Sequence, residues 1–273
     1  MRMGCVLSKP SPDTLVCSGK LQAGSYILPG DISSQFISGL LFAMALMDGS
    51  SQLSIVGKLS SAPYVNMTMK VLSVFGVDAS QLKVQGSYPL HSPGIITVEG
   101  DWSNSAFFLT ANTIGSQIRV TGLNDQSLQG DRIVIDILDQ LKTGKSIVSA
   151  ANTPDLIPIL SVAAACMHGC VFTDIERLRL KESDRVASII SMLQALGVHA
   201  EATISTLTVY PGHISGGTVD TFHDHRIAMS AAIAATKASS PVTILDADCV
   251  SKSYPSFWKA YKCLGGSYEQ LLR

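Results

Sequence analysis

One pattern recurs four times along the chain and restricts the fold more than any other feature of the sequence. Each copy opens with an Asp in a polar turn, continues into an apolar helix and a short strand, and then reaches a polar or charged turn before a second helix. The opening Asp residues stand at positions 31, 101, 155 and 224. Such a repeat predicts an α/β protein assembled from similar supersecondary units.

Turn and capping signals indicate the elements within each unit. Each opening Asp segment is a plausible N-cap of a helix. Apolar and β-branched runs predict strands at 53–56, 118–120, 171–173 and 242–245. Second helices are expected from near residues 64, 129, 185 and 256, and glycine at 76, 197 and 265 predicts the ends of three of them. Stretches 82–98 and 200–210 read as two further strands each, so a complete unit has the order βαβαββ.

The second unit is shorter than the others. Successive opening Asp residues are 70, 54 and 69 positions apart, and residues 142–146 lead almost directly into the third unit. Ordinary loop variation and a deletion both explain the difference. Residues 143–146 look like the end of a phosphate-binding P-loop, but the upstream glycine, the strand and the following helix that such a loop needs are missing from the pattern.

Composition separates broad classes of protein. Of the 273 residues, 46% are hydrophobic and 15% charged, which predicts a folded chain, and the length favours two domains. A formal net charge of −1 without a Lys/Arg run argues against nucleic acid and anionic membranes as partners. The sequence offers no signal peptide and no apolar run of about 18 residues, and its six cysteines lack metal-ligand spacing. We therefore expect a cytoplasmic protein with free thiols.

The helix starts of the repeated units are expected to lie on a common face and to form an anion site, because their free N–H groups attract negative charge. In the first unit Ser33, Ser34 and Gln35 offer hydroxyl and amide donors, and Tyr64 stands in the turn before the second helix. The competing interpretation is that Ser33 or Ser34 caps the helix while Gln35 is solvated.

The third unit has the densest charge. Asp155 stands at a helix start, and residues 177–185 hold six ionisable side chains. If this segment is extended, Arg177, Arg179 and Lys181 lie on one side, and Glu182 and Arg185 share a helical face. A salt-bridged helix entrance is the alternative to a ligand site.

In the fourth unit His223-Asp224-His225-Arg226 directly precedes a run of helix formers. An Arg in a first helical turn opposes the helix dipole, and this local cost favours a role in binding carboxylate or phosphate. A metal site built on His223 and His225 is the rival interpretation, although no further ligand has suitable spacing nearby. Lys252 lies in the turn equivalent to the one that holds Lys181.

Taken together and in order, these motifs resemble the 5-enolpyruvylshikimate-3-phosphate synthase family, also called 3-phosphoshikimate 1-carboxyvinyltransferase. The matching segments are residues 30–36 (Gly-Asp-Ile-Ser-Ser-Gln-Phe), 179–185 (Arg-Leu-Lys-Glu-Ser-Asp-Arg), 224–229 (Asp-His-Arg-Ile-Ala-Met) and 252–255 (Lys-Ser-Tyr-Pro). The related UDP-N-acetylglucosamine carboxyvinyltransferases share the fold, but the Lys-Glu-Ser-Asp-Arg and Asp-His-Arg forms favour the shikimate branch.

The resemblance implies a reaction and roles for individual residues. Such enzymes transfer the enolpyruvyl group of phosphoenolpyruvate to the 5-hydroxyl of shikimate 3-phosphate and release phosphate, without a metal or organic cofactor. The residues implied to hold shikimate 3-phosphate are Ser33, Ser34, Gln35, Tyr64, Asp155 and Lys181. Those implied to bind phosphoenolpyruvate are Arg185, Arg226 and Lys252, with Gln35 reaching both ligands. The candidate catalytic residues are Asp155 as base, Glu182 for the proton at the enol methylene, and Lys252.

The chain departs from the family in the number of its units. Family members have six units in two domains, whereas four are visible here, and the family's N-terminal Lys-Ser motif and Gly-rich loop have no counterpart in residues 1–22. We expect an incomplete first domain over residues 1–100 and a second domain, with a shortened first unit, over residues 101–273. Exposed apolar surface in the first domain is expected to pair with a second copy or a complementary chain.

Three hypotheses follow from the sequence. The chain is a synthase, alone or with a complementary polypeptide; or it binds a phosphorylated ligand without turnover; or it is a purely structural fragment. The intact charged motifs favour the first hypothesis, and the missing units favour the second.

Overall fold

A computed structural model describes residues 4–87 and 89–271, which divide into two compact units, 1–98 and 99–273. The first unit consists, in chain order, of β1 (Cys5–Ser11), β2 (Thr14–Gly19), β3 (Ser25–Pro29), α1 (Ser34–Ala45), β4 (Ser50–Val56), α2 (Ala62–Val74), a short 3-10 turn (Ser80–Leu82) and β5 (Lys83–Gln85). Strands β1 and β2 form an antiparallel hairpin, whereas β3 and β4 pair in parallel and β5 joins β4 antiparallel.

The first unit has a small core between its helices and its three-stranded sheet. Ile37, Leu41 and Met44 on α1 are fully buried, since their spacing of four and three residues places them on one face of the helix. They belong to the same hydrophobic cluster as Leu53 on β4 and Val65 on α2. This packing places both helix N-termini beyond the carboxyl ends of β3 and β4.

The second unit contains more helix and two separate sheets. Its elements are α3 (Trp102–Thr113), a 3-10 helix (Gly130–Ile133), α4 (Val134–Thr143), β6 (Ser146–Ser149), a 3-10 turn (Pro154–Leu156), α5 (Ile157–Cys166), β7 (Cys170–Thr173), a 3-10 helix (Glu176–Leu180), α6 (Arg185–Ala195), β8 (Ala200–Ala202), β9 (Thr206–Val209), β10 (Gly217–Asp220), α7 (His225–Ala235), β11 (Val242–Leu245), a 3-10 helix (Ala247–Lys252) and α8 (Phe257–Cys263). One sheet has the order β6-β7-β9-β8 and the other pairs β10 with β11. The β6–β7 and β10–β11 pairs are parallel.

Helices α5 and α7 form the centre of the second unit. Residues 157–165 of α5 and 227–234 of α7 are buried, and the many alanines in both helices allow the two backbones to pack closely. The aromatic residues Trp102, Phe107, Phe172 and Phe257 complete a core that shares no residue with that of the first unit. Each unit therefore has a hydrophobic core of its own.

The predicted α/β class and much of the repeat are confirmed. The series β6-α5-β7-α6-β8-β9 has the full βαβαββ order, while β3-α1-β4-α2-β5 lacks a final strand and β10-α7-β11-α8 ends at the second helix in the described part of the chain. The C-terminal glycines of the second helices, Gly76, Gly197 and Gly265, have φ values of 84°, 83° and 97°, as predicted for left-handed helix ends.

Several local predictions were wrong. Among the described residues, 118–120 form no strand, and of the stretch 82–98 only β5 is a strand. The opening segments do cap three helices, through Ser33 for α1, Asp101 for α3 and Asp224 for α7, whereas Asp155 lies inside a 3-10 turn without a capping hydrogen bond. Asp155 thus has its carboxylate available for side-chain contacts.

The segment before α6 is helical rather than extended. Residues 176–180 form a 3-10 turn that buries Leu178 and leaves Leu180 74% exposed. Arg177 and Arg179 therefore do not line up with Lys181 as they would along a strand, and Arg179 turns instead to Asp184 and to the carbonyl of Thr203. In the described part of the chain no helix is both long and apolar enough to cross a membrane.

Candidate functional site

The charged motifs of the second unit follow the carboxyl ends of its parallel strands. Asp155 comes after β6, residues 181–185 after β7, residues 224–226 after β10, and Lys252 after β11. Parallel strands end at the same edge of a sheet, and the helices that follow begin there. Ion pairs from Arg185 to Asp224 and from Arg226 to Asp155 join the edges of the two sheets, so segments that are distant in sequence form one polar cluster.

Arg185 is the centre of this cluster. Its side chain is fully buried, and its guanidinium contacts three carboxylates: Nη1 donates to Asp155 Oδ1 at 2.8 Å, Nε donates to Asp224 Oδ2 at 2.8 Å, and Nη2 donates to Glu182 Oε2. Asp224 is also fully buried and caps α7 by accepting from the Arg226 N–H. A planar guanidinium has enough donors for all three partners, which makes burial of its charge tolerable.

Asp155 is surrounded by positive charge. Its Oδ1 lies 3.3 Å from Lys181 Nζ and 2.8 Å from Arg185 Nη1, and its Oδ2 lies 3.4 Å from Arg226 Nη2. Burial alone would raise the pKa of this carboxyl, but the charges of Arg226, Lys181 and Arg185 outweigh burial and hold the pKa well below its usual range. In this arrangement Asp155 is ionised at neutral pH.

Arg226 and Lys252 complete the set of cations. Arg226 Nη1 donates to Ser103 Oγ at 2.7 Å and to the Asp155 carbonyl at 3.2 Å, which fixes its guanidinium beside the start of α3. Lys252 Nζ lies 3.2 Å from Glu182 Oε1, and its side chain is 56% exposed, the most of the four cations. Burial would raise the pKa of Glu182, but the charges of Arg185 and Lys252 and a backbone hydrogen bond lower it.

The cluster formally carries four positive and three negative charges, since Lys181, Arg185, Arg226 and Lys252 face Asp155, Glu182 and Asp224. Most of the cationic charge is thus neutralised within the protein, and one positive charge remains. A multiply anionic ligand is suited to such a site because it can replace the carboxylates as the partner of the cations.

Comparison with known proteins defines the family. The model for EPSP synthase (3-phosphoshikimate 1-carboxyvinyltransferase) matches residues 14–261. The chain belongs to the EPSP synthase family. Among curated relatives, the 3-phosphoshikimate 1-carboxyvinyltransferases of Clostridium kluyveri and Clostridium acetobutylicum are 36% and 38% identical over 279 and 277 aligned residues. The alignments cover 94% of this chain but only 65% and 64% of those relatives.

Solved structures confirm the enolpyruvyl transferase fold. EPSP synthase from Acinetobacter baumannii has a TM-score of 0.78 at 24% identity, covering 98% of this chain and 69% of that chain. The enolpyruvyl transferase NikO from Streptomyces tendae has a TM-score of 0.71 at 18% identity, covering 97% of this chain and 69% of that one. The family predicted from the ordered motifs is confirmed by the family model and the curated relatives.

The structure brings together six of the residues that the resemblance to EPSP synthases singles out. These are Asp155, Lys181, Glu182, Arg185, Arg226 and Lys252. The other four lie in the first unit: Ser33 caps α1 by accepting from the Gln35 N–H at 3.2 Å, Ser34 is buried, Gln35 is exposed, and Tyr64 lies in the first turn of α2. Both helix starts stand at the carboxyl edge of the parallel β3–β4 pair.

Asp224, Ser103 and His225 lie in or beside the cluster but were assigned no role in substrate binding or catalysis from the sequence. Asp224 was recognised as a helix cap and as part of a matching motif, and its contact with Arg185 spans 39 residues. Ser103 was part of an opening motif but gave no sign of its contact with Arg226. His225 is 4% exposed, burial and the charge of Arg226 lower its pKa, and its Nδ1 has no hydrogen-bond partner among the residues described.

The alternative metal site receives no support from the two histidines. The side chain of His223 is 88% exposed and Nδ1 donates to Asp246 Oδ2 at 2.6 Å, whereas His225 is buried. The described residues contain no group of three or more His, Cys, Asp and Glu side chains that could hold a metal ion.

The lowered pKa values predict that acid weakens the second unit. A carboxyl whose pKa is lower in the folded than in the unfolded state contributes stability above the unfolded pKa of about 4, and this contribution is lost as the pH falls through the folded pKa. We expect the unfolding free energy of the wild-type chain to exceed that of Asp155→Asn at pH 7, and the difference to shrink from about pH 4 downward. Urea unfolding at several pH values measures this; a constant difference would contradict it.

Proposed function

We propose that this chain acts in the transfer of the enolpyruvyl group of phosphoenolpyruvate to the 5-hydroxyl of shikimate 3-phosphate, with release of phosphate. The observation that carries the proposal is the cluster of four cations and three carboxylates at the strand ends of the second unit. The names of the curated relatives support it. The chain spans about 65% of the length of these relatives, so their activity is proposed for this chain.

The charges of the cluster suit these two substrates, since each carries a phosphate and a carboxylate. Arg185, Arg226 and Lys252 form the phosphoenolpyruvate site, and Lys181 binds shikimate 3-phosphate beside Asp155. Arg226 and Lys252 are the better candidates for direct contact with phosphoenolpyruvate, because Arg185 is fully buried and already donates to three carboxylates. Arg185 contributes by orienting Asp155 and Glu182.

The two carboxylates at the edge of the cluster divide the proton transfers. In the addition step Asp155 accepts the proton of the 5-hydroxyl while the hydroxyl oxygen bonds to C2 of phosphoenolpyruvate. Glu182, which takes up a proton once bound substrate offsets the charges of Arg185 and Lys252, gives that proton to the methylene carbon. In the elimination step the bond from C2 to the phosphate oxygen breaks, phosphate leaves with the proton held by Asp155, and Glu182 takes its proton back from the methyl group. Lys252, which contacts Glu182 at 3.2 Å, stabilises its carboxylate between the two steps.

The low pKa of Asp155 becomes compatible with a basic role only when ligands are bound. Arg226, Lys181 and Arg185 lower this pKa in the present arrangement. Phosphate and carboxylate groups bound to Arg226 and Lys181 offset those charges, which raises the pKa of Asp155 and makes it a stronger base. Substrate binding thus activates the residue that the free site holds as a weak base.

The proposal extends to the first unit and to partners. Ser33, Ser34, Gln35 and Tyr64 hold the phosphate and hydroxyl groups of shikimate 3-phosphate, and Gln35 also contacts phosphoenolpyruvate. The chain acts in the cytoplasm, either alone or with a second copy or a complementary chain. Large apolar side chains on the first unit, among them Leu7, Leu15 and Ile27 at 64%, 66% and 69% exposure, support such a partner.

Phosphate release tests the proposal directly. The purified chain is incubated with shikimate 3-phosphate and phosphoenolpyruvate beside Arg226→Ala, and we expect kcat/KM for the variant to fall by about 100-fold or more, since a preorganised charge that stabilises the transition state is lost. Arg119→Ala is the matched control, because Arg119 is exposed and lies outside the cluster. Equal rates for wild type and Arg226→Ala would overturn the assignment of this cluster as the active site.

A second candidate function is binding without turnover, because the four cations suit an anionic ligand whether or not a reaction follows. In that case isothermal titration calorimetry detects binding of phosphoenolpyruvate or shikimate 3-phosphate to the chain. Arg226→Ala weakens this binding, but no phosphate is released. Release that depends on Arg226 excludes this alternative.

A further inference from the structure

A left-handed residue follows the strand position of every repeat. It is Gly57 (φ 78°) after β4, Gly122 (φ 83°) after residues 118–121, Asp174 (φ 56°) after β7, and Asp246 (φ 51°) after β11. Glycine adopts this conformation without steric cost, whereas a residue with a Cβ does not. The two Asp residues therefore stand where glycine satisfies the backbone better, and their carboxylates must provide some other benefit.

Each carboxylate joins its own turn to the exit of the neighbouring parallel strand. Asp174 Oδ2 accepts from Ser149 Oγ at 2.6 Å, and Ser149 is the last residue of β6. Asp246 Oδ2 accepts from His223 Nδ1 at 2.6 Å, and His223 lies between β10 and α7. The same connection thus occurs in both repeats of the second unit whose two strands pair in parallel, β6–β7 and β10–β11.

The turns joined by His223 and Asp246 both lead to the charged cluster. Asp246 immediately precedes the 3-10 helix that ends at Lys252, and His223 immediately precedes Asp224. His223 itself is left-handed at φ 57°, as is Phe222 at φ 52°. Phe222, His223 and Asp246 thus all have unfavourable backbone conformations, and they surround a single side-chain contact, the one between His223 and Asp246.

Stability does not account for this arrangement. The side chains of His223 and Asp246 are 88% and 40% exposed, and contacts between exposed charged groups contribute little to folding. The strain at three positions opposes even that contribution. A geometric role remains, namely to hold the turn bearing Lys252 against the turn bearing Asp224 and Arg226.

We propose that His223 and Asp246 are positioning residues that fix Lys252 beside Glu182. The inference rests on the proposed function in one respect only, namely that a displaced Lys252 weakens the binding of phosphoenolpyruvate. The positioning itself concerns two turns of the second unit and can be measured without a substrate.

The decisive variant is Asp246→Gly, which relieves the backbone strain and removes the contact with His223. We expect its resistance to urea to equal or exceed that of wild type, while its dissociation constant for phosphoenolpyruvate, measured by calorimetry, rises about fivefold to tenfold because Lys252 is no longer held in place. Removing a nearby negative charge would by itself tighten binding of an anion. Weaker binding by a variant that is at least as stable therefore distinguishes positioning from both charge and folding effects.

Three further variants complete the test. Asp246→Asn can still accept from His223 and should retain most of the affinity, and His223→Ala should reproduce the effect of Asp246→Gly. Asp248→Asn is the matched control, because Asp248 is an exposed carboxylate on the same 3-10 helix. It should bind phosphoenolpyruvate at least as tightly as wild type. Equal affinity of wild type and Asp246→Gly would overturn the inference.

A second measurement separates this inference from the proposed function. The rate at which trinitrobenzenesulfonate modifies Lys252 is followed by mass spectrometry, and we expect it to increase several-fold in Asp246→Gly, since Lys252 then loses its fixed pairing with Glu182. If wild type fails to bind phosphoenolpyruvate but the labelling rate rises, the proposed function fails and the positioning stands. An unchanged labelling rate would reject the positioning whatever the substrate.

Discussion

Replacement of Asp155 by Asn is expected to separate binding from turnover. The amide cannot accept the hydroxyl proton, so phosphate release should fall by about 100-fold to 10,000-fold. Binding should change in the opposite direction: Asp155 neutralises Lys181, Arg185 and Arg226, and its loss leaves their charge for the ligand. We expect the affinity for phosphoenolpyruvate to rise by about tenfold, allowing for solvent screening of a partly exposed site.

The matched control for this prediction is Asp184→Asn. Asp184 lies in the same charged segment, but it caps α6 and contacts the exposed Arg179, and an Asn retains the cap. Its turnover and affinity should both stay close to wild type. Wild-type turnover by Asp155→Asn would show that another group accepts the proton, and weaker binding would show that Asp155 contributes more as a ligand contact than as a counter-charge.

Replacement of Arg185 by Ala should have the largest effect on stability. It leaves the fully buried Asp224 without its guanidinium partner. Asp155 and Glu182 each lose one cation but keep Lys181, Arg226 and Lys252 as partners. Removing one partner of a buried ion pair typically costs about 3–5 kcal/mol in unfolding free energy. Arg185→Lys should recover only part of this loss. It restores the positive charge, but one ammonium group cannot donate to three carboxylates in the geometry of a guanidinium.

Urea unfolding followed by tryptophan fluorescence tests this prediction, since both tryptophans, Trp102 and Trp258, lie in the second unit. Arg179→Ala is the comparison, because Arg179 and Asp184 are 37% and 45% exposed. Loss of such an exposed pair should cost no more than about 1 kcal/mol. Similar losses for Arg179→Ala and Arg185→Ala would mean that the guanidinium of Arg185 is not the organising group of the cluster.

The sequence predicted those parts of the fold that depend on local signals. The strands at 53–56, 171–173 and 242–245 were correctly placed because their β-branched runs are bounded by polar turns. The ends of three helices were correctly placed because glycine adopts the left-handed conformation at a helix end with little steric cost. Residues 118–120 also contain two β-branched residues, Ile118 and Val120, but form no strand. Pairing with a partner strand decides such cases, and composition alone does not reveal it.

Alternation was misleading in the segment before α6. The order Arg-Leu-Arg-Leu-Lys at 177–181 has the period of a strand, but a 3-10 turn buries Leu178 and exposes Leu180. A five-residue window is too short to distinguish the two conformations. The structure consequently assigns Lys181 to the cluster and directs Arg179 to Asp184 and Thr203.

The members of the candidate site were easier to predict than their connections. Arg226 was singled out because a cation in a first helical turn opposes the helix dipole, and Asp155 and Arg185 because they belong to the most densely charged repeat. That Asp224 caps one helix and also contacts Arg185 depends on how α6 and α7 are brought together, which no local pattern contains.

The separate cores of the two units have a consequence for how this sequence can vary. The first core draws on residues between 37 and 84 and the second on residues between 102 and 261, with none in common. Substitutions without shared partners usually have additive effects, so repacking one core should not propagate to the other. Natural or laboratory evolution can therefore vary the packing residues of the first core without changing a side chain that packs in the second core.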